Sequence, residues 1–310
     1  MSDTAKLKDL LRWDGTHVTP DDEQMKKIYR PYLSPSSSSS FHRCPARLVA
    51  ERTLPEIVDP YAPAPLGNNA HTVLENLYNL PVARRTKREA RRLLRELGAE
   101  VWPDPTTRLD RLIWFSMVWT RVIGIWKIED PTKVLVRRTE WRFENFEIGK
   151  SRTPFTGIID RIDITGDEYR TGCSVADYKS GKARFPRNGE IDDYTRQIHM
   201  YAMALTEHDG RPPMSGALYY TAHSQAKVRK VSVSSEAVAD TDAWLGVVWN
   251  EWNEAITTRR FAATPNRFCD WCVISAVCPA VNKPTIPEPP VEELPFSRLP
   301  LLNQRIPEHL

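Results

Sequence analysis

The sequence predicts an α/β protein, a mixed β-sheet flanked by helices, with a helical N-terminal region and a cysteine-bearing C-terminal segment. Three observations predict it. Residues 34 to 128 carry apolar side chains at helical spacing. From residue 133 the pattern shortens to strand-like runs rich in β-branched and aromatic residues, "KVLVRRTEWRFENFEI", "FTGIIDRIDIT" and "CSVADYKS", separated by Gly, Asp and Thr. A helical stretch, "DDYTRQIHMYAMALTEH", then precedes two further strands, "GALYYTA" and "KVRKVSV".

In chain order, residues 1 to 33 are polar with some helical character and read as an N-terminal extension. In "LSPSSSSSFHRCPARLVAER" the serine run taken alone resembles a flexible linker. Serines directly before Phe41 can cap a helix, however, and Leu48 and Val49 continue an apolar face beyond it, so a capped helix carrying Cys44 is expected, with Pro45 leaving its start open. After a Pro-rich loop, Pro55 to Pro65, "LGNNAHTVLENLYNLP" turns Val73, Leu74 and Leu77 inward and puts His71 and Glu75, spaced i, i+4, on one face. "ARRTKREARRLLRELGAEV" sets Ala90, Leu93, Leu94, Leu97 and Val101 in an apolar stripe, with Arg84, Arg88, Arg91, Arg92 and Arg95 on other faces. A buried, tryptophan-rich helix is expected over about 107 to 128. Beyond the strands, a helix with Trp244, Trp249 and Trp252 leads to the C-terminal cysteines, and residues 281 to 310 read as a Pro-rich tail. Residues 34 to 280 form the main domain on this reading, and no internal repeat is visible.

With 310 residues the chain can bury a substantial core, and a net charge of +3 is too small to announce a nucleic-acid partner by itself. The longest apolar run, 111 to 126, contains Arg121 and falls short of the roughly 20 residues a membrane span needs. The N-terminus lacks an uninterrupted apolar stretch with a small-residue cleavage site. No membrane association and a cytoplasmic location are therefore expected. Five cysteines is an odd count, and clustered cysteines in a reducing compartment more often hold metal than form disulfides.

The chemistry concentrates in "VADYKSGK", residues 175 to 182. Alternation along a strand points Asp177 and Lys179 to the same face. Upstream, "GIIDRID" places Asp160 in a neighbouring strand, where its carboxylate can meet that of Asp177. Asp163 competes for this role, but three residues on it turns to the opposite face. Two converging carboxylates repel unless a cation sits between them, and a divalent ion serving phosphoryl transfer suits such a pair. Lys179 beside the ion can orient or deprotonate a water and offset charge growing on phosphorus. A lone D-x-K is more often an exposed salt bridge; the combination shifts that balance.

"GIIDRID", "VADYKSGK" and "QIHMYA" together resemble the RecB-type branch of the PD-(D/E)XK nuclease superfamily, which also contains the CRISPR-associated exonucleases and the nuclease domain of AddB. The resemblance implies a restriction-endonuclease-like sheet and a nuclease domain over 34 to 280, with Asp160 and Asp177 as the two acids and Lys179 as the lysine. "GNNAHTVLE" matches the upstream helix of that branch, making His71 a further metal ligand that Glu75 is placed to support. Gln197 and Tyr201 match its Q-x-x-x-Y helix and share a face that can position Lys179 or the cleaved strand. Mg2+ or Mn2+ is the implied ion, and a product end bearing a 5'-phosphate follows from the family precedent.

"FCDWCVISAVCP" gives C-x2-C-x5-C through Cys269, Cys272 and Cys278, with Cys44 far upstream. Four such thiolates can bind zinc or an iron-sulfur cluster, and spacing alone does not choose. The resemblance favours a four-iron four-sulfur (4Fe-4S) cluster, with Zn2+ as the alternative; Cys173 falls outside the pattern. The arginine-rich helix, with Lys182, Arg184 and Arg187, can contact phosphates, or can be a solvated face paired with Glu89, Glu96 and Glu100. "ENFEIGKS" has Glu144 where a phosphate-binding loop needs its first glycine, so any ATP-driven unwinding is left to a helicase or recombination partner. The leading expectation is a metal-dependent DNA exonuclease for single strands or duplex ends, acting in replication, recombination or repair. The alternative is a nuclease-fold DNA-binding or assembly factor without turnover in isolation.

Overall fold

The computed structural model describes residues 11–55, 59–102, 108–166, 171–186 and 190–281. Five strands make the central sheet, in the order β3 (Val136–Ile148), β4 (Thr153–Gly166), β5 (Thr171–Lys179), β6 (Ser215–Tyr220) and β7 (Lys227–Val231). β5 and β6 are parallel and the other neighbours antiparallel, so the sheet is mixed, as the sequence predicts. Parallel strands need a long crossover. Here it contains α8 (Asp193–Asp209), started by an Asp192 side chain that accepts from Thr195 N and ended by Gly210 in the left-handed region at φ 69°.

Helices cover both faces. One face packs against α2 (Pro35–Arg43), α3 (Pro45–Thr53), α8 and α9 (Ser235–Thr258), around Phe41, Phe155, Ile159, Ile198, Leu245 and Trp252. The other packs against α4 (Pro63–Asn79), α5 (Lys87–Val101) and α6 (Arg108–Val122), around Leu74, Leu77, Leu94, Trp114 and Tyr178. A sheet buried on both faces reads as near-continuous apolar sequence, and the charged residues within β4 and β5 break that rule.

The serine run does cap a helix: Ser34 and Ser37 form a reciprocal capping box at the start of α2. Cys44 does not ride within that helix, because the chain breaks there. Extended backbone at Cys44 (φ −167°, ψ 100°) ends α2, and Pro45 opens α3 in the first-turn position proline favours. The tryptophan-rich segment also departs from expectation. It ends at Val122 and resumes as the short α7 (Ile125–Ile128), and Leu109, Leu112 and Ile113 are exposed while Trp114, Val118 and Val122 are buried. At the break, a Cβ on Gly124 would lie 2.2 Å from the Thr221 carbonyl oxygen, so only glycine admits that approach.

Residues 11–33 contain β1 (Trp13–Asp14), β2 (His17–Val18) and α1 (Asp22–Ile28), and β2 pairs with β8 (Phe261–Ala262) in a second, three-stranded sheet. Leu11, Val18, Ile28 and Leu33 join the main core, and Leu33 bridges to Phe155. No described helix is long and apolar enough to cross a membrane. Arg187, most of the Pro-rich tail and the start of the tryptophan-rich segment lie outside the described residues.

Candidate active site

The buried stripe Leu66, Ala70, Val73, Leu74 and Leu77 fixes the rotation of α4 against the sheet. That rotation brings His71 to β4, with Nδ1 3.4 Å from Asp160 Oδ2. The same oxygen accepts the backbone N–H of Tyr178 at 2.6 Å, which ties the first acid to the strand carrying the second. The Tyr178 ring meets the His71 ring edge-on, with centroids 5.8 Å apart. Burial alone would raise the Asp160 pKa, but His71, Lys179 and the Tyr178 N–H together hold it below the usual carboxylate value. For His71, burial works downward, and the Asp160 carboxylate outweighs it and raises the pKa.

Asp177 and Lys179 face the same way on β5, with Lys179 Nζ 2.5 Å from Asp177 Oδ2. Asp177, only 1% exposed, has Lys179 as its close side-chain partner. Burial, with Asp160 nearby, pushes Asp177 up to about 6 despite Lys179. Lys179 Nζ also donates to Gln197 Oε1 at 2.8 Å, and Gln197 Nε2 donates to Tyr201 OH at 2.9 Å. The i, i+4 pair on α8 thus forms a short chain ending on the ammonium. Burial would lower the Lys179 pKa; Asp177 and Asp160 reverse that and raise it. Gly157, opening "GIIDRID", leaves room for this arrangement, since a Cβ there would lie 2.7 Å from the Phe143 ring and 3.3 Å from that of Tyr201.

One member was missed in the sequence. Glu140 sits on β3 between Thr139 and Trp141, which pair with Arg161 and Ile159, so it stands opposite Asp160. Its φ of 42° lies in the left-handed region, a conformation unusual for glutamate. One donor atom each from His71, Glu140 and Asp160 falls within 4.8 Å of the others. Burial, then Asp160, pushes Glu140 up to about 7, with Glu75 adding to the repulsion. Two carboxylates and an imidazole, beside the Asp177 carboxylate, are a donor set suited to a hard divalent ion. Asp163 belongs elsewhere: its carboxylate binds Arg161, with Nε to Oδ1 at 2.9 Å.

The four cysteines of the sequence pattern line a single small cavity between the α2–α3 junction and residues 264–281. Backbone N–H groups point at two of them, Thr264 N at Cys44 Sγ (3.5 Å) and Asn266 N at Cys269 Sγ (3.2 Å). Among the described residues these cysteines do not form a group of three side chains close enough to share one metal ion, as His71, Glu140 and Asp160 do. Cys173 sits apart, buried on β5. Arg84, just before α5, and Arg92 on it pair with Glu89, and Arg92 also with Glu96, so part of that face is the solvated, salt-bridged one. The Glu144–Ser151 stretch ends β3 and turns into β4; no helix follows it, as a phosphate-binding loop would require.

A five-stranded mixed sheet with helices on both faces, carrying an acid, then an acid and a lysine two apart on adjacent strands, defines a restriction-endonuclease-like fold. The sequence matches the PD-(D/E)XK nuclease superfamily over residues 32–279, and the chain belongs to that superfamily. No curated protein matches the sequence.

Proposed function

We propose that this chain is a Mg2+- or Mn2+-dependent deoxyribonuclease, an exonuclease of the RecB-type branch that hydrolyses phosphodiester bonds during DNA replication, recombination or repair. One observation carries the reading: residues scattered from 71 to 201 converge as two linked groups, His71–Glu140–Asp160 and Asp177–Lys179–Gln197–Tyr201. Asp160, Asp177 and His71, with Glu140 added, would hold the ion. When bound, it supplies Lewis-acid polarisation of the phosphodiester and a more acidic water. The chain's own part is positioning. Lys179 is clamped by Asp177 and Gln197, and its raised pKa favours stabilising negative charge and orienting water over abstracting a proton. Tyr201 locks the Gln197 amide so that its oxygen faces Lys179.

The cysteine cavity would hold a four-iron four-sulfur cluster. Four thiolates there could equally take zinc; the resemblance of one N-terminal cysteine with a C-terminal C-x2-C-x5-C to cluster-bearing nucleases is what favours the cluster. Its ligands come from residue 44 and residues 269 to 278, so it would tie the two ends of the domain together.

The test uses end-labelled single- and double-stranded oligonucleotides with Mn2+. Wild type should degrade them, and Lys179→Ala should lose at least about a hundredfold in rate while keeping its cooperative thermal transition. Equal rates for the two proteins would sink the mechanism. DNA binding without cleavage under any divalent ion would favour a nuclease-fold binding factor instead.

A further inference from the structure

The catalytic strand β5 runs out into Ser180, Gly181 and Lys182, and its parallel neighbour β6 runs out, through Thr221, into Ala222 to Gln225. Parallel strands present their carboxyl ends at one edge, where open α/β sheets place their ligands. There the two segments and the last turn of α6 line an open cleft of about 440 Å3, large enough for a small ligand or a strand phosphate. The cleft adjoins the active site directly. Thr221 N donates to the Lys179 carbonyl at 3.0 Å. Ser180 packs so closely on the His71 helix that a Cβ on Gly67 would lie 2.9 Å from its Oγ.

Its electrostatics are opposite to those next door. No carboxylate lines it, whereas Arg121, Lys182 and His223 do. Arg121 is half-buried, its hydrogen bond goes to the Met117 carbonyl of its own helix at 2.7 Å, and among the described residues no acid lies within salt-bridge distance. In the core Arg161 is compensated by Glu129 and Asp163 and Arg229 by Asp192, while Arg85, buried without an acid partner, spends its donors on the Leu80, Pro131 and Val134 carbonyls; Arg121 makes one such carbonyl bond. Its place in the last turn of α6 and its carbonyl bond offset part of the desolvation of this guanidinium, and an anion arriving from outside would offset the rest. Arginine's planar fork is also the group best matched to phosphate. Three residues of extended chain separate Lys179 from Lys182, at most about 10 Å, so the cleft lies within a few nucleotides of the bond to be cut.

We infer that this cleft is a phosphate subsite for the DNA strand being cut, engaging a phosphodiester next to the scissile one, with Arg121 as its anchor and Lys182 and His223 at its mouth. The inference rests on the nuclease reading and adds a residue set to it. The experiment measures cleavage kinetics of a single-stranded oligonucleotide with Mn2+, and its binding in the Lys179→Ala background, across a salt series. Arg121→Gln should raise KM about tenfold, with the change confined to KM, and should reduce the slope of log affinity against log salt by about one. Lys182→Gln should act in the same direction and less strongly, and Arg121→Lys should recover part of the loss. A neutral methylphosphonate walked along the strand should weaken wild-type binding at one position near the cut and leave Arg121→Gln indifferent there. Active wild type with Arg121→Gln and Lys182→Gln indistinguishable from it would overturn the subsite and leave the nuclease reading standing. So would an Arg121→Gln protein whose loss lies in kcat and which responds to methylphosphonate as wild type does, because that pattern marks a structural role. Wild type that neither binds nor cuts DNA would overturn both.

Discussion

Removing Glu129 should destabilise the protein sharply, because it strands a buried cation. Arg161 is 0% exposed, and Glu129 binds it through two oxygens, Nη1 to Oε1 at 2.7 Å and Nη2 to Oε2 at 3.0 Å. The guanidinium also lies 4.2 Å from the Tyr78 ring centroid and 5.1 Å from that of Tyr219, with its Nη1 on the Tyr178 hydroxyl at 2.9 Å. In Glu129→Ala only Asp163 remains as a counter-ion, and the Tyr78 hydroxyl, which also donates to Glu129, loses its acceptor. Breaking one partner of a buried pair costs about 3–5 kcal/mol. Unfolding entropy of about 2.1 cal/mol/K per residue, scaled to this chain, gives about 0.65 kcal/mol/K, so Tm should fall by about 5–8 °C. Scanning calorimetry reads this directly. Tyr78 and His71 share α4, and Tyr178 both stacks on Tyr78 and holds Asp160 through its N–H. The same variant should therefore need more Mn2+ for half-maximal thermal stabilisation. A Tm drop under about 2 °C would refute the claim that this network is a dry, mutually dependent unit.

Two further predictions concern the cofactors. Protein purified without oxygen should be brown with visible charge-transfer absorption, and Cys44→Ser and Cys272→Ser should each lose iron and colour and lower Tm by at least about 5 °C; colourless protein with one zinc per chain would reverse the assignment. In the metal-free protein Asp177 titrates at about 6 and Glu140 at about 7, both above their unfolded values. Between about pH 4 and 7 the native state then binds more protons than the unfolded chain, so metal-free stability should fall as pH rises through that window. Dication binding displaces those protons and the one on His71, whose pKa Asp160 raises, so Mn2+ affinity should rise over this window and level off only once the imidazole is neutral. Calorimetric titration at pH 5, 6, 7 and 8 tests this, and a pH-independent affinity would contradict it.

What was legible in the sequence follows from how local each signal is. Asp177 with Lys179, and Gln197 with Tyr201, are defined by the two- and four-residue repeats of strand and helix, and their contacts come out as the spacing implies. Glu140 was not legible, because its place opposite Asp160 depends on the register of β3 against β4, which no local pattern states. The β1–β2 hairpin did leave a signal in Asp14-Gly15, with Gly15 at φ 56°. Its strands are two residues long, and the partner that stabilises them, Phe261–Ala262, lies over two hundred positions away. The break at Gly124 likewise answers to a distant carbonyl, that of Thr221.

The run Ile159 to Asp163 on β4 is wholly buried yet holds three charged residues, and the two systems they enter differ in balance. Around Arg161, the carboxylates of Glu129 and Asp163 bracket one guanidinium, and the tyrosine rings supply the rest; the arginine pKa stays well above its usual value. Around Asp160, the acids Asp160, Asp177 and Glu140 face Lys179 and a histidine whose positive charge exists only when protonated. In the first system burial raises the Asp163 pKa as well, but a guanidinium charged at every ordinary pH stands against its two acids. In the second, three acids share one ammonium and a titratable imidazole, and burial pushes Asp177 up to about 6 and Glu140 up to about 7. On the proposed reading a divalent cation would remove the need for protons on those carboxyls and let Lys179 face a phosphate, so the unequal charge on the two faces of one strand would separate a structural network from a reactive one.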